Sequence, residues 1–248
     1  MRFLTLSPIL LIVSICLAGT ATQTDWSGGD GVWGPVTSWG DEFYVDTDVN
    51  WSDSPGNLNL QIKVVEHLVF ENWEEPRSLY AEDINGDGYI DIVSASYAFD
   101  EDVRWWKNEN GSGTSWTHHV VDLSFRGGHG IQAEDINDDG YMDIVGAARD
   151  DNDITWWEND DGSGTSWTTH LIEGYFERAF AVHAEDINGD GNMDVVGAAY
   201  DVDEITWWEN DDGSGTSWTK HLIDGNIDGS PSSVYGEDLD GDGDIDVL

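Results

Sequence analysis

Short runs of apolar and β-branched residues alternate with turns rich in glycine and aspartate along most of the chain. In one representative stretch the runs fall at residues 130–133, 143–148, 154–158 and 166–172. Runs of this length between turn residues predict strands, and no helical periodicity competes with them. The dipeptide Asp161-Gly162, with its counterparts in the neighbouring repeats, predicts a hairpin in which both turn residues have positive φ. The pattern therefore predicts an all-β chain.

Four sequence markers recur with one period of 51–52 residues: an acidic block, a Trp pair, the hexapeptide Gly-Ser-Gly-Thr-Ser-Trp and a histidine. Four short strands in a unit of about 50 residues, repeated along the chain, are the sequence signature of a β-propeller blade. We predict three complete blades, at about residues 78–123, 130–174 and 181–225.

The repeat is incomplete at both of its ends. Residues 62–71 resemble the fourth strand of a blade without the three strands before it, and the last unit stops at Leu248, just after its acidic block. Closed propellers have about 4–8 blades, so the sequence predicts an incomplete ring that belongs to a longer protein. In the alternative, Leu248 is a natural end and the final strand pairs with residues 62–71 across the ring.

The first 21 residues have the composition of a secretory signal peptide. Arg2 precedes an apolar run over residues 3–17 and a small-residue stretch over 18–21, which predicts cleavage after Ala21. The run is too short for a membrane span. The single cysteine, Cys16, lies within it, so the exported chain would contain no disulfide. A lipoprotein signal at Cys16 is a less favoured alternative.

The amino-acid composition excludes some classes of binding partner. The chain has 51 acidic and 9 basic residues and a net charge of −42, which argues against nucleic acid and against an anionic membrane surface. Its 14 Trp and its 39% hydrophobic content exclude a disordered acidic tail. The predicted organisation is a signal peptide over residues 1–21, a Trp- and Gly-rich arm or linker over 22–61, and propeller repeats over 62–248.

The acidic block of each repeat has the spacing of a calcium-binding loop. It reads Asp-x-Asn/Asp-x-Asp-Gly-x-x-Asp, with side-chain oxygens at positions 1, 3, 5 and 9, a glycine for the sharp turn at position 6, and a backbone carbonyl at position 7. Hard oxygen ligands in a flexible loop suit Ca²⁺ better than Zn²⁺ or Mg²⁺. We define acidic loops 1 to 4 as residues 83–91, 135–143, 186–194 and 238–246, and expect about four Ca²⁺ ions, one in each loop. The candidate ligands are Asp83, Asn85, Asp87, Tyr89 and Asp91 in loop 1; Asp135, Asn137, Asp139, Tyr141 and Asp143 in loop 2; Asp186, Asn188, Asp190, Asn192 and Asp194 in loop 3; and Asp238, Asp240, Asp242, Asp244 and Asp246 in loop 4.

An EF-hand is the nearest alternative, because it shares the first six positions. It requires a bidentate acid at position 12 and flanking helices. Position 12 is Ser94, Gly146 or Gly197, and strand-like Ile-Val or Val-Val follows the last aspartate. A shorter loop between two strands is therefore predicted. The remaining alternative, an acidic turn without metal, leaves three or four carboxylates crowded together in every repeat.

These repeats resemble the FG-GAP (VCBS) repeats that build the seven-bladed propeller of integrin α subunits and occur in many secreted bacterial proteins. The resemblance covers residues 62–248 and rests on the acidic loops. The Phe-Gly…Gly-Ala-Pro signature is matched only in part, by residues 145–147 and 196–198. The resemblance implies that each loop joins the first two strands of a blade and binds calcium.

Other recurrent side chains have structural interpretations. We predict that the Trp pairs at 105–106, 156–157 and 207–208 lie in the core between blades rather than stacking on sugars. The periodic histidines, at 67, 119, 170 and 221, are interpreted as structural, because an active site would not occur in every blade. His183 breaks the period on an inner strand that would line an axial channel, and it is the best catalytic candidate. The glutamates that precede the loops (Glu82, Glu134, Glu185 and Glu237) are predicted to support the metal.

The sequence contains no Ser/His/Asp spacing, phosphate-binding loop or zinc motif. We therefore predict a non-enzymatic, calcium-stabilised binding or adhesion module, secreted or at the cell surface, whose ligand is an unknown protein or glycan. Two alternatives stay open. One is a lectin-like propeller that binds glycans, and the other is the propeller part of a larger secreted enzyme such as a polysaccharide lyase.

Overall fold

The computed structural model describes residues 49–50, 59–60, 67–70, 75–97 and 102–248. The predicted signal peptide over 1–21 lies outside the described residues, as does the predicted arm over 22–61 apart from two short strands. These strands, β1 (Val49–Asn50) and β2 (Asn59–Leu60), pair antiparallel. They belong to a compact unit of residues Met1–Val64, and the repeats belong to a second unit, Val65–Leu248.

Among its described residues, the second unit contains three four-stranded antiparallel sheets and one two-stranded sheet, and each follows the chain order. The first sheet has β3 (Pro76–Glu82), β4 (Asp91–Ser96), β5 (Val103–Asn108) and β6 (Trp116–Asp122); the second has β7 (Gly128–Glu134), β8 (Asp143–Ala148), β9 (Asp153–Asn159) and β10 (Trp167–Glu173); the third has β11 (Ala179–Glu185), β12 (Asp194–Ala199), β13 (Glu204–Asn210) and β14 (Trp218–Asp224); and the fourth has β15 (Gly236–Glu237) and β16 (Asp246–Val247). The described residues form no helix. The predicted all-β class and its four-stranded blades are thus confirmed. No helix in this described part is long and apolar enough to cross a membrane.

The hydrophobic core lies between neighbouring sheets. Successive side chains of a strand point to opposite faces, so the Trp pair of each third strand contributes to both faces of its sheet. In the second sheet, Trp157 shares a core with Trp105 of the first sheet, whereas Trp156 shares a core with Trp208 of the third. These four indoles are at most 1% exposed. The predicted core role of the Trp pairs is confirmed for them.

Close packing between sheets requires a glycine in the middle of β8. A Cβ atom at Gly146 would lie 3.0 Å from both the Phe125 and the Trp157 rings, which themselves meet edge to face with centroids 4.8 Å apart. Gly197 occupies the same place in the third sheet, against Phe176 and Trp208. The glycines of the partly matched signature therefore make room for an aromatic pair.

The first strands of successive sheets are neighbours in space. Gln132 on β7 joins two of them, because its Nε2 donates to the Ala184 carbonyl (3.3 Å) and its Oε1 accepts from the Ala184 N–H (2.9 Å) on β11. Within residues 75–97 and 102–248 the sheets do not close a ring. The unit has the arrangement of an incomplete propeller.

Two local predictions are wrong. Of the predicted strand at 62–71, the structure describes 67–70, and no strand forms there; the Phe70 ring instead packs beside Trp106 and His118 of the first sheet. The turn after each third strand is also longer than the predicted two-residue hairpin. Only its glycines have positive φ, for example Gly111 at 65°. The preceding Asn110 keeps negative φ because its side-chain oxygen accepts the Ser112 N–H and closes a local turn.

Candidate metal sites in the acidic loops

Each acidic loop joins the first two strands of its sheet. Loop 1 lies between β3 and β4, loop 2 between β7 and β8, loop 3 between β11 and β12, and loop 4 between β15 and β16. This is the position that the resemblance implies. Strands on both sides of every loop exclude the EF-hand alternative, which requires helices.

The first aspartate of each loop folds the backbone around itself. In loop 1, Asp83 Oδ1 accepts the Asp87 N–H (3.1 Å) and Asp83 Oδ2 accepts the Gly88 N–H (2.7 Å). Gly88 has φ of +86°, a conformation that glycine adopts without steric cost. The equivalent bonds from the fifth and sixth residues recur in loops 2, 3 and 4. The spacing of the motif thus produces the same compact turn four times.

The last aspartate of loops 1 to 3 is fully buried. Asp91, Asp143 and Asp194 are each 0% exposed, and each accepts, at 2.7–2.8 Å, the N–H of the asparagine that ends the third strand of its sheet. Burial raises the pKa of Asp91 and of Asp143 to about 7 and that of Asp194 to about 6. An ionised carboxylate in such a place is costly unless a cation compensates it.

Carboxylate oxygens converge inside loop 4. In loop 4, carboxylate oxygens of Asp238, Asp240 and Asp246, at positions 1, 3 and 9, lie within 4.8 Å of one another. Loops 1 to 3 have asparagine at position 3. In loop 1 this residue, Asn85, donates through Nδ2 to Asp91 Oδ2 at 2.7 Å, so its amide nitrogen rather than its oxygen faces the position-9 carboxylate. The cluster of carboxylate oxygens in loop 4 fits a hard cation such as Ca²⁺.

In loops 1 to 3 the side chain at position 7 packs against the turn that follows the third strand. The Tyr89 ring lies directly against Gly111 and the Tyr141 ring against Gly162, so that a Cβ on either glycine would overlap the ring. Asn192 takes the same place against Gly213. The backbone N–H at position 7 bonds the position-5 carboxylate, as in Tyr89 to Asp87 Oδ1 at 3.0 Å, and the carbonyl ligand at position 7 stays a prediction. The side chains at position 7 brace the turn that follows the third strand.

Glutamates next to the loops contact the loop backbone. Glu82 Oε1 accepts the N–H of Asp83, the first loop residue, at 3.1 Å. Burial is the main cause of a raised pKa at Glu134, which precedes loop 2. The role of these glutamates toward a metal stays a prediction.

One position near the loops was not predicted from the sequence. It is the residue after each Trp pair, which is Lys107, Glu158 or Glu209. Lys107 Nζ lies 2.8 Å from Asp87 Oδ2 in loop 1. Glu158 Oε1 accepts from Asn137 Nδ2 of loop 2 at 3.3 Å. The sequence does contain a signal for this position, because a lysine replaces the glutamate in one repeat of three.

A second unpredicted group is the asparagine at the end of each third strand. Asn159 Nδ2 donates to the Met142 carbonyl of loop 2 (3.1 Å) and also to the Ile84 carbonyl of loop 1 (3.0 Å). Asn210 makes the equivalent bonds to loops 3 and 2. These asparagines bring consecutive loops to one end of the unit and connect them.

The histidines have different surroundings. His119, His170 and His221 stack on the indoles of Trp105, Trp156 and Trp207, with ring centroids 4.4–4.6 Å apart, which supports their structural interpretation. His183 is only 9% exposed, and its ring lies 4.3 Å from that of Tyr235. Burial lowers the pKa of His183. Its Nε2 has no hydrogen-bond partner among the described residues, and a catalytic role for His183 stays a prediction.

The family model described as "FG-GAP-like repeat" matches the chain three times, over residues 83–146, 135–197 and 186–248. Each match starts at the first aspartate of an acidic loop and continues into the next repeat. Together the matches cover more than half of the chain. No curated protein matches the sequence.

Proposed function

The chain belongs to the family of FG-GAP-like repeat proteins, and from this premise we propose that it is a calcium-binding β-propeller that acts as a binding or adhesion module outside the cell. The observation that carries the proposal is the repetition of one oxygen-lined loop between the first two strands of all four sheets, with three carboxylates already convergent in loop 4. The proposal includes no catalytic role for the chain.

Charge balance supports a bound divalent cation such as Ca²⁺. Positions 1, 3, 5 and 9 of the four loops carry 13 carboxylates, which repel one another when no cation is bound. Four Ca²⁺ ions would supply eight compensating charges. Extracellular modules of this kind bind Ca²⁺ with dissociation constants of about 10⁻⁴–10⁻³ M. Ion binding would also link the two strands that flank each loop, so that calcium becomes part of the folding free energy.

Thermal unfolding with and without calcium tests this role. The melting temperature of the purified chain is measured in excess chelator, then in millimolar CaCl₂, and in MgCl₂ at the same ionic strength as the control for screening. We expect Ca²⁺ to raise the melting temperature well above the value in Mg²⁺. Equal melting temperatures in chelator and in CaCl₂, with no calcium retained by elemental analysis, would reject the proposal.

Export is a separate part of the proposal. It is supported by the apolar run over 3–17 and by the small residues that follow it. Expression of the full-length sequence in a secreting host, followed by N-terminal sequencing of the exported chain, tests it. We expect a mature N-terminus at residue 22. An uncleaved chain retained in the cell would contradict export.

A cavity on the first strands favours glycan binding as a second candidate function. Its volume is about 410 Å³, and it is lined by Arg77, His129 and Phe180, together with Ser232 and Ser233. The Phe180 and His129 rings stack with centroids 4.2 Å apart. The arginine suits an acidic sugar, because a guanidinium pairs with a carboxylate. The His129 and Phe180 rings pack on each other and on Tyr97 and Tyr200, so they add apolar lining rather than a free stacking face. This cavity lies at the starts of the first strands, whereas the acidic loops follow their ends.

An array of uronate-containing and neutral oligosaccharides tests this second candidate. We expect binding of acidic glycans, lost in Arg77→Ala and retained in Arg126→Ala, which removes an arginine that does not line the cavity. Uniform lack of binding, or equal loss in both variants, would reject it.

A further inference from the structure

The residue that follows each Trp pair differs in charge among the three complete sheets. It is Lys107 on β5, Glu158 on β9 and Glu209 on β13. In every case its side chain extends to the acidic loop of its own sheet. The candidate ligands at positions 1, 3, 5 and 9 are the same in the three loops. The difference therefore distinguishes otherwise equivalent loops.

Loop 1 has a positive charge of the protein itself at its ligand cluster. Lys107 Nζ lies 2.8 Å from Asp87 Oδ2, the candidate ligand at position 5. The two side chains are 30% and 27% exposed, so water screens this ion pair only in part. A cation entering loop 1 must either displace the ammonium group or bind beside it.

Loops 2 and 3 have a negative charge at the same place. Glu158 Oε1 is 3.3 Å from Asn137 Nδ2, and its other oxygen is 2.8 Å from His170 Nε2. Glu209 repeats both contacts, at 3.2 Å to Asn188 and at 2.8 Å to His221. The histidine fixes the carboxylate toward position 3 of the loop. With three ligand carboxylates in each loop, the local charge is −2 in loop 1 and −4 in loops 2 and 3 when the histidines are neutral.

We infer that the residue after the Trp pair sets the relative calcium affinities of loops 1 to 3, and that Lys107 makes loop 1 the weakest of these three sites. The inference rests on the proposed function, because it assumes that the loops bind calcium. The ammonium group of Lys107 partly replaces the ion, so the loop of the first sheet keeps part of its charge compensated when calcium is scarce. Loops 2 and 3 depend on the ion itself. The difference of two charges at contact distance corresponds to an affinity ratio on the order of tenfold or more.

Calorimetric Ca²⁺ titration of the full chain tests the inference with paired variants. Lys107→Glu gives loop 1 the neighbour of loops 2 and 3, and Lys107→Met removes the charge while keeping a long side chain. Glu158→Lys makes the converse change in loop 2. Lys220→Met is the matched control, because Lys220 pairs with Glu173 and Glu204 and touches no acidic loop.

We expect the wild-type chain to show one site weaker than the others. Lys107→Glu should tighten that site at least tenfold, Lys107→Met should tighten it less, and Glu158→Lys should weaken one of the tighter sites. Lys220→Met should change none. In an Asp83→Asn background, which disables loop 1, Lys107→Glu should have no effect, and this assigns the weak site to loop 1. Melting curves in chelator check that each variant folds.

The outcomes separate the inference from the proposed function. If the wild-type chain binds calcium but both Lys107 variants leave every affinity within twofold, the inference is wrong and the calcium function stands. If neither the wild-type chain nor Lys107→Glu binds calcium, the proposed function fails and the inference fails with it.

Discussion

Asn159 in the second sheet donates a hydrogen bond to the Ile84 carbonyl in the acidic loop of the first sheet, with the two atoms 3.0 Å apart. The same side chain bonds the Met142 carbonyl of its own loop and accepts the Gly164 N–H. Asn159 is fully buried. One amide therefore satisfies three backbone groups and connects two candidate metal sites.

Asn159→Ala should lower the free energy of unfolding by about 2–3 kcal/mol, because it leaves three backbone groups without this partner. Urea denaturation at fixed calcium measures the change. Asn110→Ala is the control, since Asn110 also bonds through its side chain but lies in an exposed turn where water replaces it. Equal losses in the two variants would contradict the structural role of Asn159.

The same substitution should weaken calcium binding at two loops. Asn108 occupies the equivalent place in the first sheet, and its side chain bonds Ile90 and Gly113 of that sheet. We expect Asn159→Ala to weaken loops 1 and 2 and Asn108→Ala to weaken loop 1 alone, as measured by calcium titration. If each variant weakens only one site, the hydrogen bond from Asn159 to the first sheet does not affect calcium binding at loop 1.

Asp139→Ala should remove one calcium site and leave the others. Asp139 occupies position 5 of loop 2 at an exposed tip, and its contacts are with residues of the same loop. Damage should stay local, because blades contact chiefly their neighbours. Titration should lose about one ion of four. Simultaneous loss of all sites would mean that the loops bind as one coupled unit.

Gly146→Ala should destabilise the fold by about 1–3 kcal/mol through overpacking. The added methyl group would meet the Phe125 and Trp157 rings at 3.0 Å, and both rings are buried. Gly174→Ala is the control, because the nearest atom there belongs to the flexible Leu171 side chain at 3.3 Å. Chemical denaturation compares the two. A neutral Gly146→Ala would show that the aromatic pair moves aside freely.

Ionisation of Asp153 should lower the free energy of unfolding as pH rises. Burial, with the nearby charges of Asp151 and Asp122, raises the pKa of Asp153 from 3.8 to about 6. Between about pH 4 and 6 the unfolded chain releases this proton while the folded chain retains it, so ionisation favours unfolding and the penalty is complete above pH 6. Asp153→Asn should be more stable than wild type above pH 6, by about 1–2 kcal/mol, and should lose that advantage near pH 4.

Asp161→Asn serves as the control, because the pKa of Asp161 is shifted in the opposite direction. A hydrogen bond from the Thr165 hydroxyl, with another from the Ser163 N–H, holds the pKa of Asp161 at about 2. Its ionised form therefore favours the fold above pH 4, and the substitution should not stabilise the chain at neutral pH. Denaturation curves from pH 4 to 8 measure both variants. A parallel pH profile for Asp153→Asn and wild type would contradict the assignment.

The strands and the loops could be predicted from sequence because their signals are local. The Trp pair specifies a strand buried on both faces, and the Asp/Asn/Gly spacing of loop 1 specifies a turn that its own side chains close. The turn at Gly111 was mispredicted, because the dipeptide rule did not include the bond from the Asn110 side chain to Ser112. Whether the Asn110 side chain or a backbone carbonyl accepts the Ser112 N–H depends on the local geometry of the turn, which the residue types alone do not specify.

The contacts between sheets could not be predicted in the same way. Asn159 and Ile84 are 75 residues apart in the chain. The sequence pattern around either residue does not predict that the two sheets come into contact at these positions. The charge of Lys107 is visible in the sequence, but its pairing with Asp87 depends on how far the third strand extends toward the loop. Such contacts follow from the stacking of the blades.

A crystal structure of the full chain grown in CaCl₂, with diffraction recorded at a wavelength where calcium scatters anomalously, tests the calcium assignment most directly. We expect an anomalous peak in each of loops 2, 3 and 4, and in loop 1 at high calcium. Each peak should have side-chain oxygens of positions 1, 3, 5 and 9 at about 2.3–2.6 Å. Absence of anomalous density from all four loops in saturating calcium would contradict the account.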